Sequence, residues 1–92
     1  MMPPKRVDAN QPEIVAALRK AGCSVQHLHE VGRGCPDLLI GYRGQNYCLE
    51  LKSEKGTLTD AERDWHWNWN GKVAIVRTVD EALAEVMEDL HG

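Results

Sequence analysis

Two short apolar stretches joined by a glycine-rich break constrain this chain more than any other feature. Leu38-Leu39-Ile40 and Cys48-Leu49-Glu50-Leu51-Lys52 flank Gly41-Tyr42-Arg43-Gly44-Gln45, and Gly32, Gly34 and Pro36 break the chain before the first stretch. Apolar runs of this length between turn residues read as two strands of a hairpin. In the second strand Leu49 and Leu51 share one face, and Glu50 and Lys52 share the other. Such a hairpin brings Asp37, Glu50 and Lys52 together beside a buried face. Two carboxylates and an ammonium suit a divalent cation and a water to be activated. The same residues also suit a solvated sheet face with a strand-entry aspartate, since alternating charge on an exposed strand is common.

The rest of the chain supplies helices and two more strands. Asn10-Gln11-Pro12-Glu13 opens a first helix, with Asn10 at the N-cap and Ile14, Val15, Leu18 and Ala21 on one face. Glu13 lies three residues after the cap, as in a capping box. Residues 24–31 alternate as a first strand. Thr59-Asp60-Ala61-Glu62 is a second capping box, and it makes a helix of the segment that runs to Gly71. On that helix Trp65 and Trp69 lie one turn apart toward the core. Trp67 points about 200° away from Trp65 and is expected outside, as a subunit contact. Residues 72–76 read as an interior strand. Thr78-Val79-Asp80-Glu81 caps a last helix whose stripe is Ala82, Leu83, Val86, Met87 and Leu90. The expected fold class is α/β, a mixed sheet of about four strands flanked by helices in the order α-β-β-β-α-β-α. Residues 1–9 form an expected flexible tail and residues 10–92 one domain.

Composition excludes little. A net charge of −3 disfavours nucleic acid at first sight. However, Asp80, Glu81, Glu85, Glu88 and Asp89 cluster in the last helix, and the remainder is slightly basic. Cys23, Cys35 and Cys48 are odd in number and widely spaced, which favours a reducing compartment over a disulfide framework. His27 and His29 share a strand face, but no C-x-x-C partner completes a zinc site. His66 and His91 show no partner in the sequence. No apolar run approaches the roughly 20 residues of a membrane span, and the expected location is cytoplasmic.

Pro36-Asp37-Leu38 followed by Glu50-Leu51-Lys52 resembles the PD-(D/E)XK nuclease signature. With Glu13 upstream and Gly56-Thr57-Leu58-Thr59, Trp65 and Gly71 downstream, the pattern resembles the VRR-NUC (virus-type replication-repair nuclease) family, especially its small stand-alone members. The resemblance covers residues 13–79 and implies a restriction-endonuclease-like core. It implies a metal-dependent DNA endonuclease in which Asp37, Glu50 and the main-chain carbonyl of Leu51 hold Mg²⁺ or Mn²⁺. Glu13 is implied for a second metal, and Lys52 for the attacking water or the transition-state charge. A glutamine is usual in the family where this chain has Glu62, so Glu62 is left outside the catalytic set. Arg33 and Lys55 are the expected phosphate contacts. Stand-alone members imply a homodimer acting on branched DNA, four-way junctions in particular, with replication or repair proteins as further partners. The rival readings are a non-catalytic DNA-binding or assembly module on the same fold and a small dimeric interaction protein.

Overall fold

The computed structural model describes residues 10–87. The expectations for the tail at residues 1–9, and for Leu90 and His91, lie outside the described residues. The elements are α1 (Gln11–Lys20), β1 (Ser24–His27), β2 (Leu38–Tyr42), β3 (Gln45–Leu51), α2 (Asp60–Asn68), β4 (Val73–Val76) and α3 (Val79–Met87). This is the expected α-β-β-β-α-β-α order in a four-stranded mixed sheet. The strands lie side by side as β1-β2-β3-β4. The pairs β1–β2 and β2–β3 are antiparallel, and β4 joins β3 in parallel after the crossover through α2. Among the described residues no helix is long and apolar enough to cross a membrane.

The hairpin turn is tighter than the glycine-rich stretch suggests. Tyr42 pairs with Gln45, which leaves only Arg43 and Gly44 in the turn. Both have positive φ, 51° and 81°. A two-residue turn of this kind matches the twist of its strands. That fixes the register, which sets Leu38 opposite Leu49. β1 ends at His27 rather than running on to residue 31. Its partner explains this. The last pair is His27 with Leu38, the amide of Leu28 then takes the carbonyl of Asp37, and Pro36 next has no N–H to offer.

The core lies on one side of the sheet. Ile14, Val15 and Leu18 of α1 and Ala82 and Val86 of α3 pack with Leu38, Ile40, Leu49, Leu51 and Val76. Side chains alternate along β3, so Cys48 and Glu50 face the other side, toward α2. That side is covered differently. No residue of α2 is buried. Trp65 is half-buried and Trp69 is 47% exposed, so the expected burial of this pair in the core is corrected. The two indoles stack on each other instead, with centroids 4.5 Å apart. β4 is an edge strand rather than an interior one, and its Ile75 is 38% exposed. The reason is shared: the sequence of α2 is polar apart from its tryptophans, so it cannot lay an apolar face over β4.

Both expected caps on the later helices form in part or whole. Thr59 Oγ1 accepts from the amide of Glu62, and Glu62 Oε1 accepts from the amide of Thr59 at 2.9 Å. Thr78 Oγ1 accepts from Glu81, whose carboxylate reaches one residue further back to the amide of Arg77. Asn10 stands at the N-cap of α1 as expected, and its carbonyl accepts from Ile14, but its side chain makes no capping hydrogen bond. Its side-chain amide donates to the carbonyl of Arg77 at 2.7 Å, tying the start of α1 to the end of β4. The capping-box role for Glu13 is therefore not taken up.

Candidate active site

The site forms where β2 begins and β3 ends, beneath α2. Asp37 is clamped on both sides by its backbone. Its amide donates to the carbonyl of Leu49, and its carbonyl accepts from Leu28 at 2.8 Å. Its carboxylate Oδ2 accepts from the amide of Leu51 at 2.7 Å. In an extended strand one residue sends its N–H and C=O to the same side. The carbonyl of Leu51 therefore emerges on the edge where Asp37 stands.

Glu50 is 2% exposed, an unusual place for a carboxylate. Burial, then the charges of Asp37 and Glu62, push its carboxyl up to about 8, and the Lys52 ammonium offsets this only in part. Lys52 Nζ lies 3.4 Å from Glu50 Oε2 and 2.8 Å from Glu62 Oε1. Burial works against the Lys52 ammonium, yet the hydrogen bond to Glu62 and the two carboxylate charges hold its pKa above the ordinary value. Burial also disfavours the Glu62 anion, but hydrogen bonds from Lys52 and Thr59 outweigh it and keep this carboxyl below its usual range. His66 Nε2 stands 4.0 Å from Glu50 Oε1. Burial lowers the imidazole pKa, with Lys52 adding in the same direction and Glu62 opposing. Glu50 Oε1 and His66 Nε2 are both buried without a hydrogen-bond partner.

The structure thus brings together Asp37, Glu50, Leu51 and Lys52 as the hairpin register requires. It also brings in Glu62 and His66, which the sequence reading left aside. His66, to which the sequence reading gave no partner, stands 4.0 Å from Glu50 without hydrogen-bonding it. The usable signal was the spacing of Glu62 and His66: four residues apart on a capped helix, they share a face. Glu62 caps α2 as expected, and it also binds Lys52, a contact the sequence reading did not foresee. Glu13 is exposed on α1, and among the described residues no hydrogen bond or ion pair joins it to the cluster. Lys55 is exposed in the loop after β3. That loop is pinned by the Arg77 guanidinium, which donates to the carbonyls of Ser53 and Gly56. Arg33 lines an open groove of about 550 Å³ with Ala61, Asp64, Trp65, Asn68 and Trp69. Trp67 is 87% exposed.

The donor set fits a hard divalent cation. Among the described residues no three His, Cys, Asp or Glu side chains form a cage. Mg²⁺ needs none, since it keeps several waters and takes one or two carboxylates plus substrate phosphate. Glu50 Oε1, buried and unpartnered, is such a donor, and the Asp37 carboxylate, which accepts from the amide of Leu51, stands beside it.

The charge arrangement has a consequence for stability. Between the ordinary carboxyl value of 4.5 and about 8, folded Glu50 keeps a proton that the unfolded chain releases. Stability of the metal-free protein then falls as pH rises. Below the ordinary imidazole value of 6.5, His66 works in the opposite sense, because the unfolded chain binds its proton more readily. The cluster's other shifted groups, Glu62 and Lys52, lose their contributions outside this range, in acid and in strong base. From pH 6.5 to pH 8 the slope is therefore set by Glu50. It is expected to reach about 1.4 kcal/mol per pH unit, lowering the melting temperature by roughly 10 °C across the window. Glu50→Gln flattens the profile. A flat profile in the parent protein, measured by calorimetry in EDTA, would show that Glu50 ionises without penalty.

No protein-family model, curated protein or solved structure matches this chain.

Proposed function

We propose that the chain is a metal-dependent DNA endonuclease of the VRR-NUC kind, hydrolysing phosphodiester bonds with Mg²⁺ or Mn²⁺. The observation that supports this most is the buried Glu50 beside Asp37, with Lys52 held against it. Nothing in packing calls for a carboxyl there, and desolvation makes it costly. A cation beside it would offset that cost.

Asp37, Glu50 and the carbonyl of Leu51 would hold the cation. When bound, it polarises the scissile phosphate, lowers the pKa of a bound water and steadies the leaving oxygen. Glu50 would have to give up its raised-pKa proton to hold a cation, so that binding would release a proton. The backbone bond from Leu51 keeps Asp37 aimed at the same point. Lys52 orients the attacking water or stabilises charge growing on the phosphate oxygens. Glu62 fixes the ammonium in place. Glu13 has no part in this scheme.

A homodimer suits the substrate proposed, a branched DNA such as a four-way junction. A two-fold dimer presents two sites to a two-fold junction that needs two cuts. Trp67 is the side chain proposed for the contact between subunits.

The test is cleavage of a labelled four-way junction against linear duplex, with Mg²⁺, Mn²⁺ or EDTA, beside Asp37→Ala. Paired metal-dependent cuts near the branch, lost in the variant, are expected. Equal cutting of both substrates would keep the chemistry and discard junction preference. A folded protein that binds DNA without cutting it under any metal would be a binding module.

A further inference from the structure

Beside the catalytic cluster, on the outer side of α2, lies the groove of Arg33, Trp65 and Trp69. It takes no part in the mechanism above. Its construction is unusual in two independent ways. First, two large aromatic side chains stack at 4.5 Å with their planes 19° apart, and Trp69 is left 47% exposed rather than sent to the core. Second, Arg33 has φ of 58° between Gly32 at 74° and Gly34 at 83°, so three consecutive residues are left-handed. A non-glycine residue in that region stores strain, which persists only where the surroundings hold it. Here they do: Gly34 sits directly against the backbone of Ala61 in the first turn of α2. The loop therefore places Arg33 in the wall of the groove that Ala61, Asp64, Trp65, Asn68 and Trp69 also line.

We infer that this groove is a stacking platform for an unpaired nucleobase. Trp69 offers the ring surface, and Arg33 offers charge for the adjoining phosphate. The inference rests on the nuclease reading and adds to it the form of the substrate, a strand with at least one base unstacked near the cut. The occupant follows from the chemistry: a flat aromatic face in a groove lined by the cation Arg33, the carboxylate Asp64 and the amide Asn68 suits a base whose ring stacks and whose edge hydrogen-bonds, with Arg33 toward its phosphate. Continuity with the catalytic cluster favours the same occupant. The Trp65 ring packs edge-on to His66 at 6.1 Å, and His66 faces Glu50. From Arg33 to Asp37 the backbone spans at most about 14 Å, the rise of about four stacked nucleotides. A phosphate held by Arg33 thus lies within about four nucleotides of the scissile bond, and a branch, flap or mismatch there leaves bases unpaired.

The test is anisotropy of a labelled short oligothymidylate and of a duplex of equal length, in low salt with EDTA so that nothing is cut. The full chain is compared with Trp69→Ala, Trp69→Phe and Arg33→Ala, with light scattering on each. Trp69→Ala is expected to weaken single-strand binding about 5- to 150-fold. It should change duplex binding much less, and Trp69→Phe should restore most of the loss. Equal single-strand affinity in the parent and Trp69→Ala overturns the platform. So does a Trp69→Ala protein that turns from dimer to monomer, because a second copy would then cover the groove. The nuclease reading is judged separately, by metal-dependent cutting in the parent protein. Cutting without a Trp69-dependent single-strand preference discards the platform alone. Single-strand binding that depends on Trp69, with no cutting under any metal, keeps the platform and discards the nuclease.

Discussion

Lys52→Ala is expected to slow phosphodiester cleavage about 10²- to 10³-fold, the usual loss on removing one preorganised donor to developing charge. The loss should fall on kcat more than on KM. The ammonium is held at 2.8 Å by Glu62 and at 3.4 Å by Glu50 before any substrate arrives, so it needs no reorganisation when charge grows on the phosphate. Lys52→Arg should rescue little. A planar guanidinium fork cannot occupy the point between two carboxylates that a compact ammonium occupies. Fold loss is a separate readout. Without Lys52 the buried Glu50 has its neutral form as a refuge, so melting in EDTA at pH 6.5 should change less than cleavage does. Single-turnover cleavage with saturating Mg²⁺ makes the comparison. A variant that cuts at the parental rate would remove Lys52 from the mechanism.

Glu62 gives this site a charge balance of its own. Lys52 lies between Glu62 and Glu50, and the charges of Asp37 and Glu62 add to burial in raising the Glu50 pKa. A neutral amide at position 62 would leave Lys52 less firmly placed and Glu50 easier to ionise. The carboxylate thus trades ready ionisation of Glu50 for a fixed lysine, and in the mechanism proposed above a bound cation would supply the missing positive charge.

How much of this was legible in the sequence differs between the two sides of the sheet. The core side followed from local rules. Period-two alternation in β3 put Leu49 and Leu51 inward, period-3.6 spacing put Ile14, Val15 and Leu18 with them, and the structure buries all five. The hairpin then had to set Asp37 near Glu50, because turn length fixes register. The α2 side was not legible in the same way. The tryptophan spacing there is as regular as a core stripe, and periodicity alone cannot tell a face that meets the core from one that meets solvent. What decides it is which partner α2 meets, and α2 lies over polar Glu50 and Lys52 rather than over an apolar surface. His66 was missed for the same reason. The carboxyl it faces, Glu50, is 16 residues earlier on β3, and only the crossover through α2 brings the two together.

Gly34 is the residue on which the placement of α2 depends, and Gly34→Ala should show it. Its φ of 83° costs an L-residue about 1–2 kcal/mol. In addition, a Cβ there would meet the carbonyl oxygen of Ala61 far inside contact distance, and that oxygen belongs to a helix backbone that cannot bend aside. The helix must move. Because α2 buries no residue, little apolar contact resists the movement. Glu62 and His66 then withdraw from Lys52 and Glu50. The expected result is local release rather than global unfolding: a stability loss of roughly 2–4 kcal/mol, faster amide exchange along α2, and retained protection in the β2–β3 hairpin. Cleavage should fall along with the α2 protection. Gly32→Ala is the matched control, since its φ of 74° carries the same backbone cost but its Cβ would meet no atom within 4 Å. If both variants lose only the shared backbone cost and keep α2 protected, the contact at Gly34 does not hold the helix. In that case the ion pair between Lys52 and Glu62 is what keeps α2 over the site.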